Sequence, residues 1–294
     1  MKGYILGTDW WDDCDDVVAV RILARAHKEG RIHLKAIAIN VCNEFSVPSL
    51  DGFLKLENVK NIPIGIDREA TDFEGRPTYQ NYLKEYARDY LSNDDAEEGV
   101  RLYRRMLAES DEKLDIIEIG YLQVLANVLQ SVPDDISDKS GIELIKEKVS
   151  KIWIMAGKWD EDGGFENNFA RNQRARDASE AVCRLCPVPI TFLGFEVGVE
   201  VITGDELEKG DCLYQAMCEY GAYNGRNSWD PMLVELAVTG DETEAGYDVV
   251  KGTARVDRIT GANYFEKNAT GNHQFVVSKY APNYYKSKIN LLIK

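Results

Sequence analysis

Histidine is nearly missing from this chain: His27, His33 and His273 are the only three in 294 residues. His27 and His33 flank a helix-to-strand connection and read as surface residues, and His273 follows Gly271-Asn272 in a turn. Cysteine is sparse too. Six in this length do not suggest a disulfide framework, so a reduced, cytoplasmic setting is expected. Cys183-Arg184-Leu185-Cys186 has no second CxxC and no nearby histidine, which argues against zinc and for the end of a buried helix. Basic residues are in deficit, 35 against 50 acidic, giving a net charge of −15. That excludes electrostatic attraction to nucleic acid or to an anionic membrane surface. No apolar run approaches a membrane span, and the first residues read as a short strand rather than a secretory signal. The phosphate- and nucleophile-bearing signatures GxGxxG, GxxxxGK[ST] and GxSxG are absent, and so are repeats.

What is present is an alternation. Tyr4–Thr8, Leu34–Val41, Ile62–Ile66, Leu114–Ile119, Lys151–Ala156 and Ile190–Leu193 read as strands. Helical patterns at Asp15–His27, Val47–Leu56, Gly99–Leu107, Leu122–Gln130 and Ala175–Cys186 separate them. The expectation is one α/β domain over residues 1–294, an open and mostly parallel sheet with helices on both faces. Toward the end, Asp205–Tyr223 and Trp229–Val238 look helical. Val249–Val256 and Gln274–Ser278 look like strands of a small antiparallel piece, with turn-rich Arg258–Asn272 between them. Ligands of such sheets lie at the carboxyl ends of strands. Asp9, Ile119-Gly120, Met155-Ala156-Gly157 and Leu193-Gly194 all stand there, and Ala70–Asn81 and Ala156–Asn168 form long loops suited to binding.

The most informative segment is Asp9-Trp10-Trp11-Asp12-Asp13-Cys14-Asp15-Asp16, with five carboxylates in eight positions between a strand and a helix. Lys and Arg are absent from Gly3 to Val20, so nothing local neutralises the cluster. Packed like charges repel, and a hard divalent cation with oxygen ligands resolves the repulsion. A solvated acidic loop is the plain alternative, but two tryptophans and a strand-turn-helix setting do not suit one. Asp15 or Asp16 also qualifies as a helix cap.

Two further segments carry polar groups at element ends. Glu166 and Asn168, two apart in Gly163–Asn172, project the same way if extended, as a polyhydroxylated ligand requires; the alternative is a loop capping the next helix. In Asn227-Ser228-Trp229-Asp230-Pro231, Ser228 or Asp230 reads as an N-cap with Pro231 at the first helical position, or Asp230 closes a metal site opened by Asp9.

Taken in order, these segments resemble the inosine-uridine preferring nucleoside hydrolase family. The acidic turn is similar to that family's D-x-x-x-D-x-D-D branch, and Glu166-Asn167-Asn168-Phe169 to its glutamate-aromatic-asparagine-aromatic pattern. Ile119-Gly120-Tyr121-Leu122-Gln123-Val124-Leu125-Ala126 resembles its strand-Gly-x-Leu-x-x-Leu-Ala motif, and Trp229-Asp230-Pro231 its late His/Trp-Asp-Pro. The resemblance spans residues 2–290. It implies a single α/β domain assembled as a homodimer or homotetramer, one Ca²⁺, and hydrolysis of the N-glycosidic bond of a small-molecule nucleoside. By position, Asp9 is similar to the calcium-binding base that activates water. Asp16 and Asp230 resemble the other carboxylate ligands, and Ile119 the carbonyl ligand. Asp15, Glu166 and Asn168 resemble the ribose ligands, and Asn43 more weakly another ribose contact.

Calcium takes six to eight oxygens, which suits this donor set. A base beside an acidified water and carboxylates near a forming oxocarbenium ion suit glycoside cleavage. The departures fall on the leaving group. Trp229 stands where many members have histidine, Tyr121 replaces a proline, Val124 an asparagine, and Gly7 the first aspartate. Trp10, Trp11 and Trp229 form an aromatic wall for a base or belong to the core. The missing histidine leaves a second reading, a ribosyl-binding protein without efficient turnover. A haloacid-dehalogenase-type Mg²⁺ phosphohydrolase is disfavoured because Trp11 occupies the place of its second aspartate.

Overall fold

A computed structural model describes all residues 1–294. Twelve strands form in chain order. They are β1 (Gly3–Thr8), β2 (His33–Ile39), β3 (Ile64–Ile66), β4 (Glu97–Glu98), β5 (Leu114–Glu118), β6 (Val149–Met155), β7 (Ile190–Leu193), β8 (Ile202–Thr203), β9 (Arg226–Asn227), β10 (Tyr247–Val256), β11 (Asn263–Lys267) and β12 (His273–Ser278). Ten of them make one sheet in the order β11-β10-β12-β7-β6-β5-β1-β2-β3-β4. From β4 across to β12 neighbouring strands are parallel, and β10 and β11 close the far edge antiparallel. The β8–β9 pair stands apart.

Alternation along the central strands explains the two-sided core. Leu6, Ile37, Ile39, Ile117 and Trp153 point to one face, where the helices Asp15–Lys28, Ser46–Leu56, Trp229–Thr239 and Pro282–Ile293 pack. Ile5, Ala36, Ala38, Ile116, Ile152 and Ile154 point to the other, under the helices Gly99–Ala108, Gln123–Gln130, Gly141–Lys148 and Gln173–Leu185. A strand buried on both faces is mostly apolar, and the two carboxylates that β5 buries are bonded, Asp115 accepting from Trp153 Nε1 at 3.0 Å and Glu118 from the Tyr103 hydroxyl at 2.7 Å. No helix is long and apolar enough to cross a membrane.

Strand order reverses between β1 and β5. The chain leaves β1 toward β2, β3 and β4, then returns to β5 and proceeds the other way. A crevice opens at the carboxyl ends of strands diverging in this manner. Asp9 follows β1 there and Ile119-Gly120 follows β5.

Three expectations need correction. Turn-rich Arg258–Asn272 contains β11, which pairs antiparallel with β10. The helical span Asp205–Tyr223 shrinks to Cys212–Tyr220. Gly210, at φ +106°, breaks the chain ahead of it, and Asp211 caps the helix by accepting the N–H of Leu213 at 2.7 Å. The helices Gly141–Lys148 and Pro282–Ile293 are additions to the expected set, though Ser140 and Glu143 form a capping box and Pro282 opens the last helix. All six cysteines are free, and Cys183 is buried near the end of its helix, as expected.

Candidate active site

The acidic turn owes its shape to a strained residue. Trp10 has φ +47°, a left-handed conformation uncommon for a bulky side chain. Its N–H donates to Thr8 Oγ1 at 3.1 Å and to Asp16 Oδ1 at 3.3 Å. Its ring is fully buried, donates to Ser49 Oγ at 2.8 Å and meets Tyr79 edge-on. Gln80 clamps the turn by donating to the carbonyls of Trp10 and Trp11 at 2.9 and 3.0 Å. Trp11 is buried as well, with Val41, Tyr121 and Ala175. Of the two readings of the tryptophans, the core one holds for Trp10 and Trp11, while Trp229 lines the cavity described below.

Asp15 and Asp16 open the first long helix, and Trp229 and Asp230 open another packed against it. Two positive helix ends thus face one point. The Asp230 N–H donates to Asp15 Oδ2 at 3.1 Å, across 215 residues of sequence. Asp16 accepts from the Thr8 hydroxyl, and Asp9 accepts from the Trp11 N–H at 3.1 Å. Neither Asp15 nor Asp16 caps its own helix, whose cap position is Cys14 with no side-chain bond. The cap position before Trp229 is Ser228, which bonds Thr203 instead, and Pro231 sits at the third helical residue rather than the first.

One cavity of about 310 Å³ gathers these groups. Asp9, Asp15, Asp16, Ile119, Glu166, Asn168, Trp229 and Asp230 all line it. Asn43, expected as a weaker sugar contact, is not among the lining residues; its Oδ1 accepts the Phe45 N–H at 3.0 Å and shapes the turn before the next helix. Asp12 and Asp13 join the lining, together with Met155, Asn167, Arg171, Phe195, Tyr220 and Arg226, which sequence reasoning did not nominate as site residues. Arg171 and Phe195 follow segments already placed at strand ends. Arg226 and Tyr220 carried no local signal.

Charge sorts the carboxylates into two groups. Arg226 Nε holds Asp13 Oδ1 at 2.8 Å, and Arg171 Nη2 reaches Asp12 Oδ2 at 3.5 Å. The absence of local cations is thus repaired from afar for the outer pair. The inner four have no cation bonded to them. Asp9, Asp15, Asp16 and Asp230 are between 2 and 8% exposed. One oxygen from each of Asp15, Asp16 and Asp230 lies within 4.8 Å of the others, and Asp9 sits beside Asp16. Burial, with Asp13 and Asp12 adding repulsion, pushes Asp9 up to about 7. Burial also raises Asp230 well above the carboxylate range, with Asp15, Asp16 and Asp9 adding to it. Ionised together, these groups require positive charge. Hard oxygen donors around one point suit a divalent cation such as Ca²⁺ or Mg²⁺. The geometry gives Asp15, expected to meet the sugar, a place in the tightest trio.

The second loop completes the cavity. Glu166 caps the short helix Asn167–Ala170, accepting from Asn168 and Phe169 and from Gly157 N–H at 3.0 Å. Burial nonetheless pushes its carboxyl up to about 7 against those three donors. Asn168 Nδ2 donates to the carbonyls of Met155 at 2.9 Å and Ile119 at 3.3 Å, so its Oδ1 is the atom left for a ligand. The capping reading of this segment holds, with Asn168 in the short helix rather than in an extended run, and both Glu166 and Asn168 line the cavity.

Gly120 lets β5 come this close to the acidic turn. A Cβ there would collide with the Asp9 nitrogen and stand 2.8 Å from Asn40 Oδ1. Gly120→Ala is expected to displace Asp9, cost about 1–3 kcal/mol of stability and lower any turnover about 100-fold. A thermal melt beside an activity assay checks this; unchanged activity would place Asp9 outside the chemistry.

The α/β fold of this chain is that of solved nucleoside hydrolases. The chain is similar to the purine-preferring ribonucleoside hydrolase from Gardnerella vaginalis, at TM-score 0.74 and 19% identity, covering 100% of this chain and 99% of that one. It is similar to the inosine-uridine preferring nucleoside hydrolase from Bacillus anthracis, at TM-score 0.71 and 14% identity, with 100% and 99% covered. It is also similar to the type III effector protein XopQ, solved with adenosine diphosphate ribose, at TM-score 0.70 and 16% identity, with 100% and 93% covered. No family model matches the sequence, and no curated protein matches it.

Proposed function

We propose that this chain is a divalent-cation-dependent N-ribosyl hydrolase, with Ca²⁺ as the expected ion. The observation that carries the reading is the meeting of Asp9, Asp15, Asp16 and Asp230 at one cavity with no cationic partner bonded to them. Asp9, Asp16, Asp230 and the Ile119 carbonyl would hold the ion, with Asp15 in reach of it or of a sugar hydroxyl. Such an ion supplies positive charge that acidifies a water and steadies ribose hydroxyls. Asp9 takes the proton of the attacking water. Glu166 and Asn168 Oδ1 accept from sugar hydroxyls and fix the ring. The remaining carboxylates stabilise the positive charge that grows at the anomeric carbon.

Chelator-treated protein is expected to release no ribose from inosine, uridine, adenosine or cytidine. Ca²⁺ should restore release, read by a reducing-sugar assay. Ribose release indifferent to chelator would overturn the assignment. The missing histidine, together with a structural relative solved with adenosine diphosphate ribose, favours one second reading: a ribosyl-binding protein. Calorimetric nucleoside binding with no ribose released in the presence of Ca²⁺ would establish it instead.

A further inference from the structure

Departure of a neutral base from ribose calls for a proton on the leaving ring, and this cavity is poor in groups that deliver one. No histidine or lysine lines it. Its cations are Arg171 and Arg226, and a guanidinium does not give up its proton. Asp12 and Asp13 are paired with those arginines, and Glu166, though raised by burial, is turned to the sugar side with both oxygens accepting main-chain N–H groups. The remaining carboxylates are the set that faces the metal position. Tyr220 is the one hydroxyl, and burial beside Asp13 pushes it up to about 12.

The walls offer negative charge and aromatic surface instead. Seven carboxylates and two arginines line the cavity, so a bound divalent cation still leaves an excess of negative charge. Phe195 and Trp229 stack with centroids 5.4 Å apart and planes at 23°, and Trp229 Nε1 fixes the pair by donating to the Phe195 carbonyl at 2.8 Å. Both residues line the cavity. Their environment already attracts a delocalised cation. The Arg226 guanidinium lies 5.4 Å from the Trp229 ring and 5.6 Å from that of Tyr220.

We infer that the preferred substrates are N-ribosides whose glycosidic nitrogen is a quaternised aromatic nitrogen, N-ribosylpyridinium compounds, rather than neutral nucleosides. The inference rests on the ribosyl hydrolase reading above and names its substrate class. A pyridinium ring carries its positive charge into the negative cavity and lays it against the Phe195–Trp229 face. When the C1′–N bond breaks, its electron pair passes to the ring nitrogen, which leaves as a neutral pyridine. A water oxygen bonds to C1′ and gives its proton to Asp9 and then to solvent. The departing ring takes up no proton, so no acid is missing.

The test uses the whole chain with Ca²⁺ and three kinds of probe. Nicotinamide riboside is the pyridinium. Uridine and inosine are neutral nucleosides. p-Nitrophenyl β-D-riboside is a neutral riboside whose leaving group departs as a stable anion. The expected result is that kcat/KM for nicotinamide riboside exceeds that for uridine and inosine by about 100-fold or more, the scale of a missing general acid. p-Nitrophenyl riboside should also be hydrolysed. Trp229→Leu should lower kcat/KM for nicotinamide riboside about tenfold, and Trp229→Phe, which keeps an aromatic face, should recover most of that loss. Uridine or inosine turned over as well as nicotinamide riboside overturns the inference and leaves the hydrolase reading standing. So does hydrolysis of p-nitrophenyl riboside alone. If no probe, p-nitrophenyl riboside included, is hydrolysed, the hydrolase reading fails and the inference with it.

Discussion

Asp9→Asn is expected to lower kcat by about 10²–10⁴-fold, the range a positioned general base contributes. Asparagine keeps the size of the side chain and an oxygen for the Trp11 N–H, which Asp9 now accepts at 3.1 Å. The turn around strained Trp10 should therefore survive. What is lost is the group that takes a proton from water and one of four carboxylates facing the metal position. Ca²⁺ affinity should fall alongside kcat, read by calorimetry. Removing one of several mutually repelling buried charges should raise the melting temperature of the cation-free variant above that of the parent at pH 8. An inactive variant that has unfolded would instead melt lower, so the two causes of inactivity separate. Ribose release near the parent rate from Asp9→Asn would remove Asp9 from the reaction.

The parallel part of the sheet was legible because strands such as Ile190–Leu193 are almost wholly apolar and run into a glycine or an acid at their carboxyl ends. Chain order then placed Asp9 and Ile119 together, since β1 and β5 are the strands at which the sheet reverses. β11 was hidden because an edge strand needs no apolar run. Asn263-Tyr264-Phe265-Glu266-Lys267 is partly exposed and lies between turns. Trp10 and Trp229 show the limit for single residues. Both adjoin site aspartates, yet a left-handed backbone turns Trp10 inward while the helix start leaves Trp229 on the cavity. Only tertiary structure pairs Arg226 with Asp13, 213 residues away. That pair divides five clustered aspartates into neutralised outer ones and cation-seeking inner ones. Composition alone makes them equivalent.

That division has a measurable consequence for stability. In the cation-free protein Asp9 and Glu166 are each raised to about 7, and burial and mutual repulsion raise Asp15, Asp16 and Asp230 well above the carboxylate range. In the unfolded chain the same groups titrate near 4. Between about pH 4 and 7 the folded state therefore binds more protons than the unfolded one, and stability falls as pH rises through that window. A tenfold difference in proton affinity between the two states is worth about 1.4 kcal/mol, so the cluster as a whole should cost several kcal/mol by pH 8. Acid should stabilise the cation-free protein between pH 8 and 5, opposite to a protein whose carboxylates are held by salt bridges. Ca²⁺ binds the ionised form and reverses the trend. At a concentration about 100 times its Kd it contributes about 2.7 kcal/mol. At roughly 2–4 °C per kcal/mol this raises the melting temperature at pH 8 by about 5–10 °C. The increment should shrink toward pH 5, where protons compete for the same oxygens. Asp230→Asn should shrink it at every pH, because Asp230 belongs to the innermost trio. Thermal melts at pH 5, 6.5 and 8, with chelator and with Ca²⁺, read all three effects. A melting temperature at pH 8 that Ca²⁺ and Mg²⁺ both leave unmoved would mean that these carboxylates do not form a divalent-cation site.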